Sequence, residues 1–198
     1  MRFSIDPSAS RLSVKVFASG PLAAFGHDPT LVMRDVRGEL ELDPDAMTSA
    51  SLHLVVRPEV LSLSTEANEA DRREIERKAR DEVLVTATYP EIIYECRAGQ
   101  VVVHSPMQLT LSGELTLHGV TRPQPVAVRL FLTGDIVRAQ GEATVRQSDY
   151  GIRPITVAGG MMKVKDELKL TFDIVARQVT GQENGEAGAQ PAVATRST

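Results

Sequence analysis

The chain has 198 residues, of which 42% are hydrophobic and 4% aromatic, with no tryptophan and a formal net charge of −4. This length fits a single domain, and the low aromatic share leaves little means for stacking on nucleic acid bases. Because the sequence contains no basic cluster, it argues against nucleic acid and anionic lipid surfaces as partners.

The sequence contains no recognisable targeting or membrane-spanning segment. The N-terminus, MRFSIDPSAS, has no apolar run after Arg2, and no later segment approaches the roughly 18 apolar residues that cross a bilayer. Cys96 is the only cysteine, which excludes an intramolecular disulfide. We therefore expect a cytoplasmic protein without a signal peptide or a transmembrane segment.

Three strands are predicted in the first third of the chain, because apolar residues alternate there with more polar ones. A period of two places every second side chain on the same face of a strand. Irregular or turn-forming segments at residues 21–29 and 43–45 separate the strands. The predicted inward-facing residues are Val14, Val16, Leu40, Leu42, Leu52 and Leu54.

A helix is predicted at residues 66–81, where the period changes. Acid–base pairs four residues apart, with the acid first, stabilise helices. The pairs here are Glu69 with Arg73, Glu74 with Lys78 and Glu76 with Arg80. The apolar stripe of Ile75, Ala79 and Val83 is narrow, so we expect the helix to rest outside the sheet with a solvated charged face. A partner-binding face is the less favoured alternative.

Residues 109–123, LTLSGELTLHGVTRP, contain the clearest strand pattern in the chain. We predict that the strand stops in a tight turn at residues 118–123, because Gly119 can adopt a positive φ and Pro123 lacks a ladder donor. The predicted dry face consists of Leu109, Leu111, Leu115 and Leu117, with Gly113 making room among them.

Further alternating segments complete an all-β pattern with one external helix. They lie at residues 92–96, 100–103, 126–132 and 168–175, and their predicted inward residues include Val128, Leu130, Leu170 and Phe172. Short strands at this spacing predict an extended antiparallel barrel of about eight strands. Residues 1–179 form the predicted domain, and residues 180–198 have little that could be buried and are expected to be a disordered tail.

Four motifs resemble the YceI-like family. They are YPEI at residues 89–92, LSGELTLHGVTRP at residues 111–123, DYGI at residues 149–152 and the alternating strand at residues 166–176. The resemblance extends over residues 3–178. It implies a lipocalin-like antiparallel barrel whose helix lies outside and whose interior forms an apolar tunnel for a polyisoprenoid or another long amphiphile.

Alternation alone does not distinguish a filled barrel from a hollow one, since a barrel of about eight strands has an interior that side chains can fill or that can hold one small ligand. In a hollow barrel, each buried methylene of a ligand would contribute about 0.8 kcal/mol before association costs. A long apolar chain would then bind without any catalytic group.

His27 and Arg153 are the candidate ligands for a headgroup. His27 lies beside Asp28 in an irregular segment, where binding residues often occur. The guanidinium of Arg153 has the geometry that suits a phosphate or carboxylate. The alternative is a loop histidine capped by its neighbour and a solvent-exposed arginine.

The remaining histidines and the cysteine have structural interpretations. No two of the four histidines are two to four residues apart, so the sequence offers no pair of metal ligands. We expect His53 on the solvent side, His104 in a turn and His118 bonded to loop carbonyls. Cys96 is expected to point inward as a small hydrophobic residue. No catalytic residue, metal or cofactor is predicted.

Three functions are compatible with these features. The favoured one is a soluble, non-enzymatic carrier that binds a polyisoprenoid or another long-chain lipid inside its barrel. The second is an enzyme acting on such a lipid at the barrel mouth, where His27, Asp28, Asp149 and Arg153 would meet. The third is a filled barrel whose outer surface or exposed edge mediates self-association, for example as a homodimer.

Overall fold

The computed structural model describes residues 1–19, 28–157 and 162–179. The candidate headgroup ligand His27 and the predicted tail at residues 180–198 lie outside the described residues.

The described residues form one antiparallel sheet of thirteen strands and one α-helix, α1 (Glu69–Lys78). The strands are β1 (Arg2–Ile5), β2 (Arg11–Ser19), β3 (Thr30–Met33), β4 (Val36–Glu41), β5 (Ser51–Val56), β6 (Ser62–Leu63), β7 (Ile92–Cys96), β8 (Val101–Ser105), β9 (Gln108–Leu117), β10 (Val120–Thr133), β11 (Ile136–Arg146), β12 (Thr156–Val157) and β13 (Met162–Gln178).

Eight of these strands close a ring in the order β1, β4, β5, β7, β9, β10, β11, β13, because β13 pairs with both β11 and β1. The predicted antiparallel barrel of about eight strands is confirmed. β13 also pairs with β2, which continues through β3 to β6 and extends the wall beyond β1, β4 and β5.

The wall is continuous where β1 gives way to β2, because a side chain replaces the missing ladder. Ser10 is buried at this break, and its Oγ lies 3.2 Å from the Val175 carbonyl oxygen, to which it donates, and accepts from the Val175 N–H at 3.0 Å. Both backbone groups of Val175 are therefore satisfied where no strand faces them.

The predicted turn at residues 118–123 is shorter than expected, because only His118 and Gly119 separate β9 from β10. Both have positive φ, 52° and 76°, which is the geometry of a two-residue type I′ hairpin. β10 then runs through Pro123 and Pro125. In the observed register both prolines occupy positions whose missing N–H would point away from β9, and β11 begins to pair only at Ala127.

The helix begins at Asn68, whose side chain accepts from the Asp71 N–H at 2.9 Å, and continues beyond α1 as a π-helical segment over Ala79–Leu84. The predicted pairs of Glu69 with Arg73 and of Glu74 with Lys78 are present at 2.8 and 3.4 Å.

The third predicted pair is replaced by a contact with the sheet. Glu76 accepts from the Leu63 N–H at 2.8 Å, while Arg72 donates to the Leu63 carbonyl at 2.6 Å. The helix thereby satisfies the free edge of β6 and continues the barrel wall beyond it.

Acid should weaken the junction between β1 and β13, because Asp6 accepts from the Ser8 hydroxyl at 2.6 Å and from Arg177 Nε at 2.9 Å. These contacts, with Ser8 the larger influence, lower the pKa of Asp6 from 3.8 to about 2. The ionised carboxylate is favoured in the folded state, so its contribution to stability is present above about pH 4 and is lost as the pH falls through about 2.

Urea midpoints measured across that pH range should therefore fall more steeply for the wild type than for Asp6→Asn. Other carboxylates, among them Asp173 beside Arg138, also have lowered pKa values, so the comparison between the two proteins isolates Asp6. Parallel pH profiles would contradict the assignment.

Candidate functional site

The interior of the barrel is a cavity of about 950 Å³. Apolar side chains from the wall strands and from the inward side of the helical segment line it. This volume lies near the top of the range of typical ligand sites, about 300–1,000 Å³. The barrel is therefore hollow, which alternation in the sequence could not establish.

The structure places all fourteen predicted apolar positions on the wall of this cavity: Val14, Val16, Leu40, Leu42, Leu52, Leu54, Leu109, Leu111, Leu115, Leu117, Val128, Leu130, Leu170 and Phe172. Their contact with a ligand stays a prediction. The alternation at residues 92–96 could have added three further wall residues, Ile92, Tyr94 and Cys96.

Gly113 makes room for an aromatic ring of the neighbouring strand. A Cβ at this position would lie 2.7 Å from Tyr94 Cζ and 2.4 Å from the Glu95 carbonyl oxygen. The Tyr94 hydroxyl accepts from the Gly113 N–H at 3.2 Å and lies 3.1 Å from the Gln124 carbonyl and 3.2 Å from the Leu111 carbonyl. The space that Gly113 leaves on the inward face of β9 is therefore occupied by the Tyr94 ring.

Burial favours the neutral forms of two groups on the cavity wall, the Tyr94 hydroxyl and the Cys96 thiol. Burial raises the pKa of Tyr94 and of the Cys96 thiol above their ordinary values. Cys96 is buried as predicted, and a thiol of raised pKa is a poor nucleophile at neutral pH. Among the described residues, no three His, Cys, Asp or Glu side chains are grouped so that they could hold a metal ion.

Within the part of the chain that the structure describes, the charged residues of the cavity lining all come from one segment. Glu66, Asp71, Glu74 and Lys78 belong to α1 or precede it, and Lys78 Nζ lies 3.4 Å from Glu74 Oε1. We call the barrel end with α1 and the β9–β10 turn the upper end, and the end with β8 and the β10–β11 turn the lower end. The cavity is therefore apolar along the barrel and polar at α1, where three carboxylates and one ammonium group give a net negative charge.

The HGVTRP part of the 111–123 motif, at residues 118–123, stabilises the upper end and does not line the cavity. The ring centroids of His118 and Tyr89 are 4.2 Å apart, and a Cβ on Gly119 would lie 2.7 Å from Tyr89 Cε1. Arg122 Nε donates to the Asp149 carbonyl at 3.3 Å. The YPEI, HGVTRP and DYGI segments therefore meet here as structural elements. The sequence predicted that His118 contacts loop carbonyls, whereas the structure places its ring against the ring of Tyr89.

A 3₁₀ turn at Gln147–Tyr150 fits into an irregularity of β13, whose pairing register with β2 shifts between Val164 and Leu168. The Ser148 N–H and hydroxyl donate to Asp166 at 2.7 and 2.6 Å, and Gln147 Nε2 donates to the Lys165 carbonyl at 2.9 Å. These bonds hold the extra residues of β13 against the turn that leads into the DYGI segment.

Of the two predicted headgroup residues, the structure describes only Arg153. Arg153 is exposed and does not line the cavity, and His27 lies outside the described residues. Of the other histidines, His53 is exposed as predicted, with Nδ1 3.2 Å from Glu95 Oε1. His104 belongs to β8, with Nε2 2.9 Å from Thr110 Oγ1, so the predicted turn begins after it.

A closed eight-stranded antiparallel barrel with an apolar cavity is the architecture of small-molecule binding barrels. Residues 3–176 match the model of the YceI-like domain, and the chain belongs to this family.

Three solved structures illustrate the shared fold. BcnA of Burkholderia cenocepacia superposes with a TM-score of 0.67 at 14% identity, covering 86% of this chain and 98% of that one. A polyisoprenoid binding domain from Saccharophagus degradans, implicated in plant cell wall breakdown, gives 0.64 at 17% identity, covering 89% and 98%. The Campylobacter jejuni YCEI protein gives 0.58 at 12% identity, covering 75% and 84%.

No curated protein matches the chain. The helix within the described residues falls short of the length and apolar character that a bilayer crossing requires.

Proposed function

We propose that this protein binds and carries a polyisoprenoid or another long-chain amphiphile inside its barrel. The observation that carries the proposal is the apolar cavity of about 950 Å³, whose charged lining, as far as the described residues go, belongs to the segment around α1. The resemblance in fold to a Saccharophagus degradans domain described as polyisoprenoid binding supports the same ligand class.

The size of the cavity suits a chain and not only a compact molecule. At the ~30 Å³ that a water-sized group occupies, it has room for roughly thirty carbon atoms, or about six isoprene units. Each buried methylene contributes about 0.8 kcal/mol, against which association costs must be set. Affinity would therefore grow with chain length until the cavity is full.

An enzyme acting on such a lipid has less support from the site. Neither Asp28 nor Asp149 lines the cavity: Lys15 Nζ lies 3.6 Å from Asp28 Oδ2, and the carbonyl of Asp149 binds Arg122. The filled-barrel interaction module conflicts with the volume of the interior. A cytoplasmic location and a homodimer stay predictions from the sequence.

Native mass spectrometry of freshly purified protein, followed by solvent extraction, tests the proposal. We expect an adduct that survives gentle desolvation and that extracts as an isoprenoid or another long-chain lipid. Protein that is purified without such an adduct, and that takes up neither a long-chain prenol nor a long-chain quinone when these are added, would refute it.

A further inference from the structure

A second, smaller hollow lies beside the cavity at the lower end of the barrel. This hollow, the lower groove, measures about 380 Å³ and lies between the β4–β5 connection and the β8 to β10 region. Its lining residues are Leu42, Pro44, Met47, Val103, His104, Ser105, Pro106, Leu130 and Leu132.

The cavity and the lower groove meet at two residues, which we call the floor. Among the described residues, Leu42 and Leu130 alone line both spaces. They are 2% and 8% exposed, whereas Leu132 and Val103, which line only the groove, are 41% and 40% exposed. The two floor residues are therefore buried, whereas the lower groove opens to solvent.

Backbone bonds hold both floor residues in place. The Leu42 N–H donates to the Met1 carbonyl at 2.9 Å, and the Met1 amino group donates to the Leu42 carbonyl at 2.8 Å. The Leu130 N–H donates to the Met107 carbonyl at 3.1 Å. Since these anchors come from outside the ring strands, the floor is tied to two separate segments and is not a freely moving loop.

We propose that Leu42 and Leu130 set the longest chain that the protein binds. The inference rests on the proposed function and adds a length limit to it. A chain entering from the upper end meets these two side chains at the bottom of the cavity. With the floor shortened, the chain tip would pass into the lower groove and contact Pro44, Met47 and Leu132 there.

The expected gain in length follows from the volumes. Two Leu→Ala changes remove roughly six carbon atoms, which is the room of about one isoprene unit at ~30 Å³ per group. Access to the groove would add its 380 Å³ to the 950 Å³ of the cavity, which is room for about two to three units. The size of the shift therefore distinguishes an opened floor from a merely enlarged wall.

The experiment compares uptake of a series of linear prenols of increasing length by native mass spectrometry. For the double variant Leu42→Ala with Leu130→Ala, the room freed by the removed side chains and the groove together should make the longest prenol bound about three to four units longer than for the wild type. The matched control is Leu132→Ala, the same change two residues further along β10, which lines only the groove and should leave the limit unchanged.

A shift of one unit or less in the double variant, or an equal shift in Leu132→Ala, overturns the role of the floor. If the double variant does not fold, Leu42→Ala and Leu130→Ala are measured singly, and a shift of one unit or less in both overturns the inference. A wild type that binds no prenol of any length overturns the proposed function itself.

Discussion

Leu115→Arg should reduce lipid uptake by more than about a hundredfold, the equivalent of ~2.8 kcal/mol, whereas Glu114→Arg should leave uptake intact. Leu115 is buried and lines the cavity, while the neighbouring Glu114 is exposed on the outer face. An arginine at position 115 would put a charge without a partner in an apolar interior, at a cost of about 3–5 kcal/mol. An arginine at position 114 would face Glu95, its register partner on β7.

Uptake of a long-chain prenol, measured by native mass spectrometry, checks this pair once circular dichroism has shown that both variants are folded. Should Leu115→Arg fail to fold, Leu115→Gln provides a milder polar change at the same site and should still weaken uptake. Equal uptake by the variants at positions 114 and 115 would mean that the two faces of β9 have been assigned wrongly.

Gly113→Val should destabilise the fold by about 3 kcal/mol or more, without introducing any charge. The first added carbon would lie 2.4 Å from the Glu95 carbonyl oxygen, a backbone atom that cannot rotate away. It would also meet the Tyr94 ring and displace the hydroxyl from its bonds to the backbone of β9 and β10. Strand separation and the loss of these bonds both lower the free energy of unfolding.

Urea denaturation measures this effect directly. The control is Ser112→Val, which adds a similar side chain at the adjacent exposed position and should change the free energy of unfolding by no more than about 0.5 kcal/mol. A Gly113→Val protein with the midpoint of the wild type would show that the Tyr94 ring does not lie against β9.

Which face of each long strand points inward could be predicted from the sequence, because the opposite face is exposed to solvent. Leu109, Leu115 and Leu117 alternate with polar residues, and the structure buries all three. A one-residue shift in register would have moved every leucine to the solvent face. The alternation therefore determined which residues surround the interior before any pairing of strands was known.

The continuation of β10 through Pro123 and Pro125 could not be predicted, because it depends on where β11 begins to pair with β10. Proline interrupts a strand that is paired on both sides, but β11 pairs with β10 only from Ala127 onward. Likewise, Glu76 was expected to pair with Arg80 within the helix, and its actual partner is the Leu63 N–H of a two-residue strand. Strand length and hydrogen-bond partners of this kind depend on tertiary contacts, which a local sequence pattern does not reveal.

The sequence also could not predict that the barrel is hollow. A leucine that lines a cavity and a leucine that fills a core obey the same alternation. The difference lies in how far opposite walls stand apart, which is a property of the whole ring of strands. The candidate site could thus be predicted residue by residue along its wall, but not as a space with a floor and an acidic border.

The closure of the ring by β1 and β13 has a consequence for the order in which the chain folds. Phe3 pairs with Gln178, so the last seam joins segments from nearly opposite ends of the described chain. Contacts of such high sequence separation form slowly, whereas the β9–β10–β11 meander is local and can form early. During synthesis the barrel has no enclosed interior until β13 has emerged from the ribosome. A ligand held inside the barrel, as we propose, could therefore be enclosed only after β13 has been synthesised.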